Sequence, residues 1–121
     1  MEASQEELEQ ELMNLLLQGD HPILAILRQQ YVTAKVGSRE FSGVGFFTNF
    51  EVSETAPLVE PPNFEAGNVD IQLENLPNGA GCVLFVRDGK LSFLECYTYS
   101  DPWPEQITIK SLANAIPAIP E

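Results

Sequence analysis

The stretch "GCVLFVRDGKLSFLECYTY", residues 81–99, decides the fold, because it predicts a β-hairpin more clearly than any other part of the chain. Apolar and aromatic residues lie on both sides of Asp88-Gly89, a dipeptide typical of two-residue hairpin turns. The first strand is apolar on both faces. We therefore expect it at the centre of a sheet, covered at least in part on both sides.

The register of this hairpin decides where the two cysteines of the chain lie. A two-residue turn places Cys82 opposite Glu95, so the thiols of Cys82 and Cys96 point to opposite sides of the sheet. A three-residue loop, residues 88–90, shifts the register by one and brings the cysteines face to face. The Asp-Gly dipeptide favours the two-residue turn. We expect free, partly buried thiols, since two cysteines are too few for a disulfide scaffold or a metal site.

The start of the chain predicts two helices. "SQEE" at residues 4–7 matches a capping box, and leucines recur at helical spacing as far as Gly19. Asp20 is a suitable cap for the second helix, with Pro22 in its first turn and an apolar face that extends to about Thr33. The short link between the two helices indicates an antiparallel pair.

Beyond the helices the pattern changes to the two-residue period of strands. Alternation in residues 39–52 predicts one strand, in which two glycines indicate a bulge or a close backbone approach. Residues 53–68 are rich in proline and acid and predict a long loop, and loops of this length are often functional. Alternation in residues 69–76 predicts a strand with one wet face, and "QITIK" (106–110) predicts a short last strand.

These elements fit one domain, since the chain has 121 residues and 44% of them are hydrophobic. Helices that precede an antiparallel sheet indicate an α+β fold. The expected fold is a helical pair packed on a four- to five-stranded, mainly antiparallel sheet linked as a meander. The segments are the helical pair (1–35), the β-meander (39–110) and a proline-containing tail (111–121) within the single domain 1–121.

The charge is strongly acidic, with 18 acidic against 6 basic side chains and a formal net charge of −12. Such a field repels phosphate backbones and anionic lipids, so we expect neither a nucleic-acid nor a membrane partner. It accelerates encounter with a basic protein, although acidity also serves solubility alone. No apolar run approaches the roughly 20 residues that span a bilayer, and the acidic N-terminus is unlike a secretory signal. We expect a cytoplasmic protein.

Few residues suggest catalysis. His21 is the only histidine, and a histidine-based triad or zinc centre needs partners that its surroundings in the sequence do not supply. "NGAG" (78–81) lacks the Lys-Ser/Thr of a phosphate loop. We therefore expect no cofactor and no metal.

Glu95 is the carboxylate whose position in the sequence best suits a catalytic or ligand-binding role. The two-residue turn places Phe93, Glu95 and Tyr97 on one face. If that face is the core, burial raises the pKa of Glu95, as an acid catalyst requires, and Glu51 on a neighbouring strand is the candidate second carboxylate. A position near a strand end favours the other interpretation, an ordinary acid at the edge of the core.

From "SGVGFFTNFEV" through "GAGCVLFVRDGKLSFLECYTYSDPWPE", about residues 40–105, the chain resembles a family of small bacterial proteins of uncharacterised function. The shared pattern is G-x-G-F-F-T-x-F, a Gly-Ala-Gly strand, an Asp-Gly turn, a Leu-Glu-x-Tyr-Thr-Tyr strand and Trp-Pro. The resemblance implies a small α+β domain in the bacterial cytoplasm and brings no catalytic assignment. Some such proteins look like immunity partners of secreted toxins. This chain departs from the pattern at Cys96, where the family has glycine.

The leading hypothesis is a non-enzymatic acidic interaction protein, an immunity- or inhibitor-type binder of a basic protein. Trp and Tyr are common binding anchors, although a Trp between prolines also often covers a core. One alternative is an enzyme or small-ligand binder built on Glu95 and Glu51 in a sheet-edge cleft, and another is a homodimer joined through a strand edge or the helical face. The candidate surface combines the hairpin rim and the acidic loop: Glu95, Tyr97, Tyr99, Trp103, Glu51, Glu54, Glu60 and Glu65.

Overall fold

The computed structural model describes residues 2–114 and contains two helices and a seven-stranded antiparallel sheet curled into a half-barrel. The expected α+β class is confirmed, but the described strands are more numerous than the four or five that we expected. Their order across the sheet is β1-β7-β4-β5-β6-β3-β2. The elements are β1 (Glu2–Ala3), α1 (Gln5–Leu16), α2 (Pro22–Thr33), β2 (Lys35–Ser42), β3 (Gly45–Glu51), β4 (Phe64–Leu73), β5 (Leu76–Arg87), β6 (Lys90–Thr98) and β7 (Ile107–Asn114).

Each helix begins at a cap that its sequence supplies. The side chain of Ser4 accepts a hydrogen bond from the Glu7 amide, and the Glu7 carboxylate accepts one from the Ser4 amide, which completes the expected capping box. The expected cap of α2, Asp20, is wrong. His21 caps this helix instead, because its Nδ1 accepts a hydrogen bond of 3.1 Å from the Ile23 amide while Pro22 occupies the first turn. The lone histidine therefore has a structural role.

Both helices pack on the same face of the sheet. α1 lies mainly against β4 and β7, and α2 lies against β6. Burial of this face supplies the main stabilising term of the fold. Neither described helix is long and apolar enough to cross a membrane. Among the largest buried side chains of the core are Leu8, Leu12, Met13 and Leu27 from the helices and Phe46, Ile71, Leu84 and Leu94 from the strands.

The segment that we expected to form one strand, residues 39–52, lies in two strands, β2 and β3, joined by a tight turn at Gly43-Val44. The expected meander is also incomplete. β4, β5 and β6 are consecutive neighbours, but β3 pairs with β6 and not with β4. The connection of residues 52–63 is long enough to cross β5 and β6, and this length makes the non-sequential pairing possible.

The last strand, β7, is longer than the strand that the sequence predicted at residues 106–110. β7 extends through Asn114 and lies between β4 and the short β1, so the first residues of the expected tail, 111–114, belong to the sheet. The remainder of that tail, residues 115–121, lies outside the described residues.

The central hairpin has the expected turn but a different register. Asp88 and Gly89 have φ of 55° and 77°, as a two-residue turn of this hand requires. Ser92, however, is an extra residue in β6 that forms a bulge, because Val86 faces Leu91 while the preceding Phe85 faces Phe93. The bulge moves every later pair by one residue.

This shift brings the two cysteines together. Cys82 faces Cys96, and their sulfur atoms are 2.9 Å apart on the helix-covered side of the sheet. The expected pairing of Cys82 with Glu95 is therefore wrong. Both thiols are free, as expected, but they are fully buried and not partly buried.

Gln30 of α2 ties the loop of residues 52–63 to the hairpin turn. Its buried amide Nε2 donates to the carbonyl oxygens of Pro57 (2.7 Å) and Gly89 (2.9 Å), and its Oε1 accepts from the Leu91 amide (2.9 Å). The Gly89 amide in turn donates to the Pro62 carbonyl. Helix, loop and turn are thus fixed to one another through a fully hydrogen-bonded buried side chain.

We expect Gln30→Leu to lower the free energy of unfolding by about 1–3 kcal/mol, because it leaves the buried Leu91 amide without its acceptor and removes a donor from the carbonyl groups of Pro57 and Gly89. Gln29→Leu is the matched control, since Gln29 is the exposed neighbour in the same helix. Urea unfolding followed by circular dichroism measures both variants. Equal midpoints for the two would contradict a structural role of the Gln30 amide.

Candidate functional site

The candidate site is the face of the sheet that points away from α1 and α2, which we call the outer face. Strand pairing arranges its side chains in rows that cross β4, β5, β6, β3 and β2. The rows are Glu65–Phe85–Phe93–Asn49–Ser38, Asn68–Val83–Glu95–Phe47–Glu40 and Asp70–Gly81–Tyr97–Gly45–Ser42.

Three phenylalanines form an aromatic strip on the outer face. Phe85 and Phe93 stack with ring centroids 4.5 Å apart, and Phe47 lies 6.0 Å from Phe93. All three rings are partly exposed. The guanidinium of Arg87 lies 5.1 Å from the centre of the Phe85 ring, so the strip already holds one cation at its hairpin-turn end.

Two tyrosines continue the aromatic surface toward the other end of β6. Tyr97 and Tyr99 are exposed and contact each other edge to face, with ring centroids 6.0 Å apart. Gly81 lies beneath them, and a Cβ at this position would come within 3.0 Å of both phenol oxygens. The missing side chain therefore lets the rings lie close to the sheet. The Tyr99 hydroxyl donates to Asp70 (2.9 Å), and burial together with this carboxylate raises the pKa of Tyr99 to about 12.

Four carboxylates surround these rings: Glu40, Glu65, Asp70 and Glu95. Within residues 2–114 none of them forms a salt bridge, since the one such pair there joins Arg39 to Glu9. Arg87 faces Lys90 at the hairpin turn, so the basic side chains of this hairpin are confined to one end of the outer face. The rest of the face combines negative charge with exposed aromatic surface.

The structure brings four of the expected site residues together on the outer face. Glu95 lies between Val83 and Phe47 and is partly exposed, so it does not point into the core. Tyr97 and Tyr99 lie beyond it, and Glu65 lies beside the aromatic strip.

The other expected residues lie away from this cluster. Trp103 packs edge-on against the buried Phe46, with ring centroids 5.2 Å apart, and covers the core. Glu54 and Glu60 are exposed in the loop of residues 52–63. Glu51 faces Lys35 at the end of β3.

The register separates the two carboxylates that an acid–base pair would need. Glu51 is four residues along β3 from Phe47, the residue that faces Glu95. At the usual rise per strand residue this is about 13 Å. Paired catalytic carboxylates commonly lie about 5–10 Å apart, so the geometry does not favour this pair.

A second feature is a groove of about 740 Å³ between α1, the end of α2 and the edge strand β2. At its base Glu9 is only 3% exposed and accepts two hydrogen bonds of 2.7 Å from the Arg39 guanidinium. Thr48 (2.6 Å) and Gln5 (2.9 Å) also donate to Glu9. Every buried polar side-chain atom in residues 2–114 has a partner, so Glu9 is a satisfied structural group there.

Sequence reasoning did not include the three phenylalanines, Glu40 and Asp70 in the site. Asp70 had a signal, because the alternation of residues 69–76 already placed it on a wet strand face. No sequence signal separates the three phenylalanines from core residues, since the two-residue period of a strand does not tell which of its faces is covered.

No group of three or more His, Cys, Asp or Glu side chains within the described range is placed to hold a metal ion. Comparison of the chain with protein-family models, with curated proteins and with solved structures found no match. The chemistry of the outer face is therefore the ground on which a function is proposed.

Glu9 predicts a dependence of stability on pH. Burial disfavours its carboxylate, but the hydrogen bonds from Arg39, Thr48 and Gln5 outweigh this and lower the pKa of Glu9. A lowered pKa contributes stability that is present above the ordinary value of about 4.3 and is lost as the pH falls through the folded-state value.

We expect Glu9→Gln to lower the free energy of unfolding by about 1–3 kcal/mol at pH 7, with a smaller difference from wild type at pH 3. Urea midpoints at the two pH values measure this. Glu11→Gln, at an exposed position of the same helix, serves as the control. A Glu9→Gln difference that stays constant between pH 7 and pH 3 would contradict the assignment.

The buried cysteine pair predicts thiols that are inert in the folded protein. Burial, followed by the hydrogen bond to Cys82, raises the pKa of the Cys96 thiol, and the thiolate is the reactive form. We expect no reaction of either thiol with Ellman's reagent at pH 7 before unfolding, and reaction of both in denaturant. A Ser38→Cys variant supplies an exposed thiol as the positive control. Rapid reaction of the native wild-type protein would show that the hairpin register is different.

Proposed function

We propose that the protein is a non-enzymatic binding protein, of the immunity or inhibitor type, whose outer face contacts a basic protein partner. The observation that carries the proposal is that four carboxylates without a salt-bridge partner in residues 2–114 surround exposed aromatic rings on a sheet face that the helices leave uncovered. The immunity-like resemblance of the sequence points in the same direction. We further propose the cytoplasm as the site of action.

Lysine and arginine side chains match this surface in two ways. Their cationic groups are attracted by carboxylates and by the faces of aromatic rings, and their aliphatic stems cover apolar surface. Arg87 over the Phe85 ring is an intramolecular example of the same contact. The net charge of −12 adds long-range attraction of a basic protein and repels nucleic acid and anionic lipid.

The geometry supports a catalytic role of these residues less well than it supports binding of a basic partner. Glu95 faces Val83 and Phe47, and its proposed partner Glu51 is about 13 Å further along the sheet. The basic-partner proposal needs no such pair, because each carboxylate acts as a separate contact.

The test captures partners from a native extract at low salt, with elution by a salt ramp and identification by mass spectrometry. An outer-face variant carries Glu40→Gln, Glu65→Gln and Glu95→Gln. We expect the wild-type protein to retain one basic protein in stoichiometric amount and the variant to lose it. With the purified partner, we expect association to slow by about tenfold or more at low salt.

The matched control carries Glu11→Gln, Glu74→Gln and Glu105→Gln, three exposed acids outside the rows of the outer face, and has the same net charge as the outer-face variant. We expect it to retain the partner. Equal loss in both variants would mean that binding depends on net charge alone, and retention by both would exclude the outer face as the contact surface.

A further inference from the structure

The sheet ends on one side in a long strand with a free edge. β2 (Lys35–Ser42) pairs within residues 2–114 with β3 alone, and all eight of its residues are exposed. The opposite edge is formed by the two-residue β1 and by the part of β7 beyond Thr108, with which β1 does not pair. Short edge strands are a common protection against further pairing, and β2 lacks that protection.

The hydrogen-bond pattern identifies which backbone groups of β2 face outward. The Val44 carbonyl accepts from the Thr98 amide of β6 (2.8 Å), so the even-numbered residues of β3 bond to β6 and the odd-numbered ones to β2. Arg39 and Phe41 lie opposite the even-numbered Thr48 and Phe46. Their amide and carbonyl groups therefore point to the free edge.

The groove between α1 and β2 lies along this edge. Its charged lining is balanced, with Glu6 and Glu9 against Lys35 and Arg39, in a chain whose net charge is −12. Apolar side chains flank it and are well exposed, with exposed fractions of 82% for Val32, 38% for Val36 and 63% for Phe41. The groove therefore suits uncharged side chains better than basic ones, unlike the outer face.

We propose that an extended peptide segment of another protein adds to β2 as a further strand. Its backbone bonds to the outward amide and carbonyl groups of Arg39 and Phe41. Every second side chain, uncharged and mostly apolar, enters the groove between β2 and α1. Strand addition of this kind takes affinity from the backbone and specificity from alternate side chains. The groove lies on the opposite side of β2 from the outer-face side chains Ser38, Glu40 and Ser42, and the proposal uses none of those side chains, so it does not depend on the proposed function.

A second copy of the chain fits the edge less well. Facing residues share a sheet face, so two antiparallel copies of β2 pair in registers centred on Arg39, Glu40 or Phe41. The first two put like charges opposite each other, and the third pairs only the end of the strand. Each copy also carries a net charge of −12, which opposes association.

The test uses a displayed library of random linear peptides, selected on the full-length protein and measured as synthetic peptides by fluorescence polarisation. We expect the selected sequences to share apolar residues at every second position. Phe41→Pro removes an outward amide, and we expect it to weaken binding by at least about tenfold. Phe41→Val keeps the amide on a strand-forming residue, and we expect it to retain binding.

The groove has its own variant, so the test does not depend on how proline affects folding. Val36→Glu adds a carboxylate to the groove, and we expect it to weaken binding by about tenfold or more. Val44→Glu makes the same change at an exposed turn position outside the groove and should leave binding unchanged. The outer-face variant should also bind the peptides normally.

Loss of binding in Phe41→Pro and Val36→Glu, with retention in the three controls, would establish strand addition at β2. Failure to select peptides with a two-residue period would overturn the proposal, as would equal binding by Val36→Glu and Val44→Glu. Sedimentation that reveals a dimer broken by Phe41→Pro would assign the edge to a second copy and would also overturn it.

Discussion

A single extra residue, Ser92, determines which side chains of β6 each face of the sheet presents. The hairpin turn sets Arg87 opposite Lys90, and without a bulge β6 would continue with Cys82 opposite Glu95. The bulge moves all later residues of β6 by one position. It thereby places both cysteines in the core and puts Glu95 on the outer face, since a shift of one residue exchanges the two faces of a strand. The candidate site exists in its present form because of this one residue.

Local signals in the sequence were sufficient for the elements that local interactions determine. The capping box at Ser4, the two-residue turn at Asp88-Gly89 and the periods of both helices each depend on residues within a few positions of one another. Pairings over long distances were not predictable in this way. No residue near position 92 predicts a bulge. The sequence of β3 likewise does not indicate that this strand pairs with β6 and not with β4. The contact between β1 and β7 spans almost the whole chain.

The site shows the same division between local and distant causes. Tyr97 and Tyr99 were identifiable as exposed aromatic residues in a strand, and Asp70 as a residue on a wet strand face. Their contact requires Gly81 on the neighbouring strand, because any side chain there would occupy the space of the two phenol groups. Gln30 had no signal at all, since a polar residue in a helix is usually exposed. Its burial depends on backbone groups that come from two distant loops.

The strong acidity of the chain bears on two exposed surfaces of this fold. An aromatic face that the helices leave uncovered and an edge strand of eight residues with no second neighbour among residues 2–114 are both surfaces on which proteins aggregate. A net charge of −12 makes two copies repel each other, and this repulsion acts against self-association at either surface. In the function that we propose, the same charge attracts a basic protein to the outer face, and it does not oppose the proposed uncharged strand in the groove, where the lining charges balance. We therefore propose that strong acidity disfavours association between two copies of the protein at these two surfaces, which a neutral chain with the same surfaces would not do.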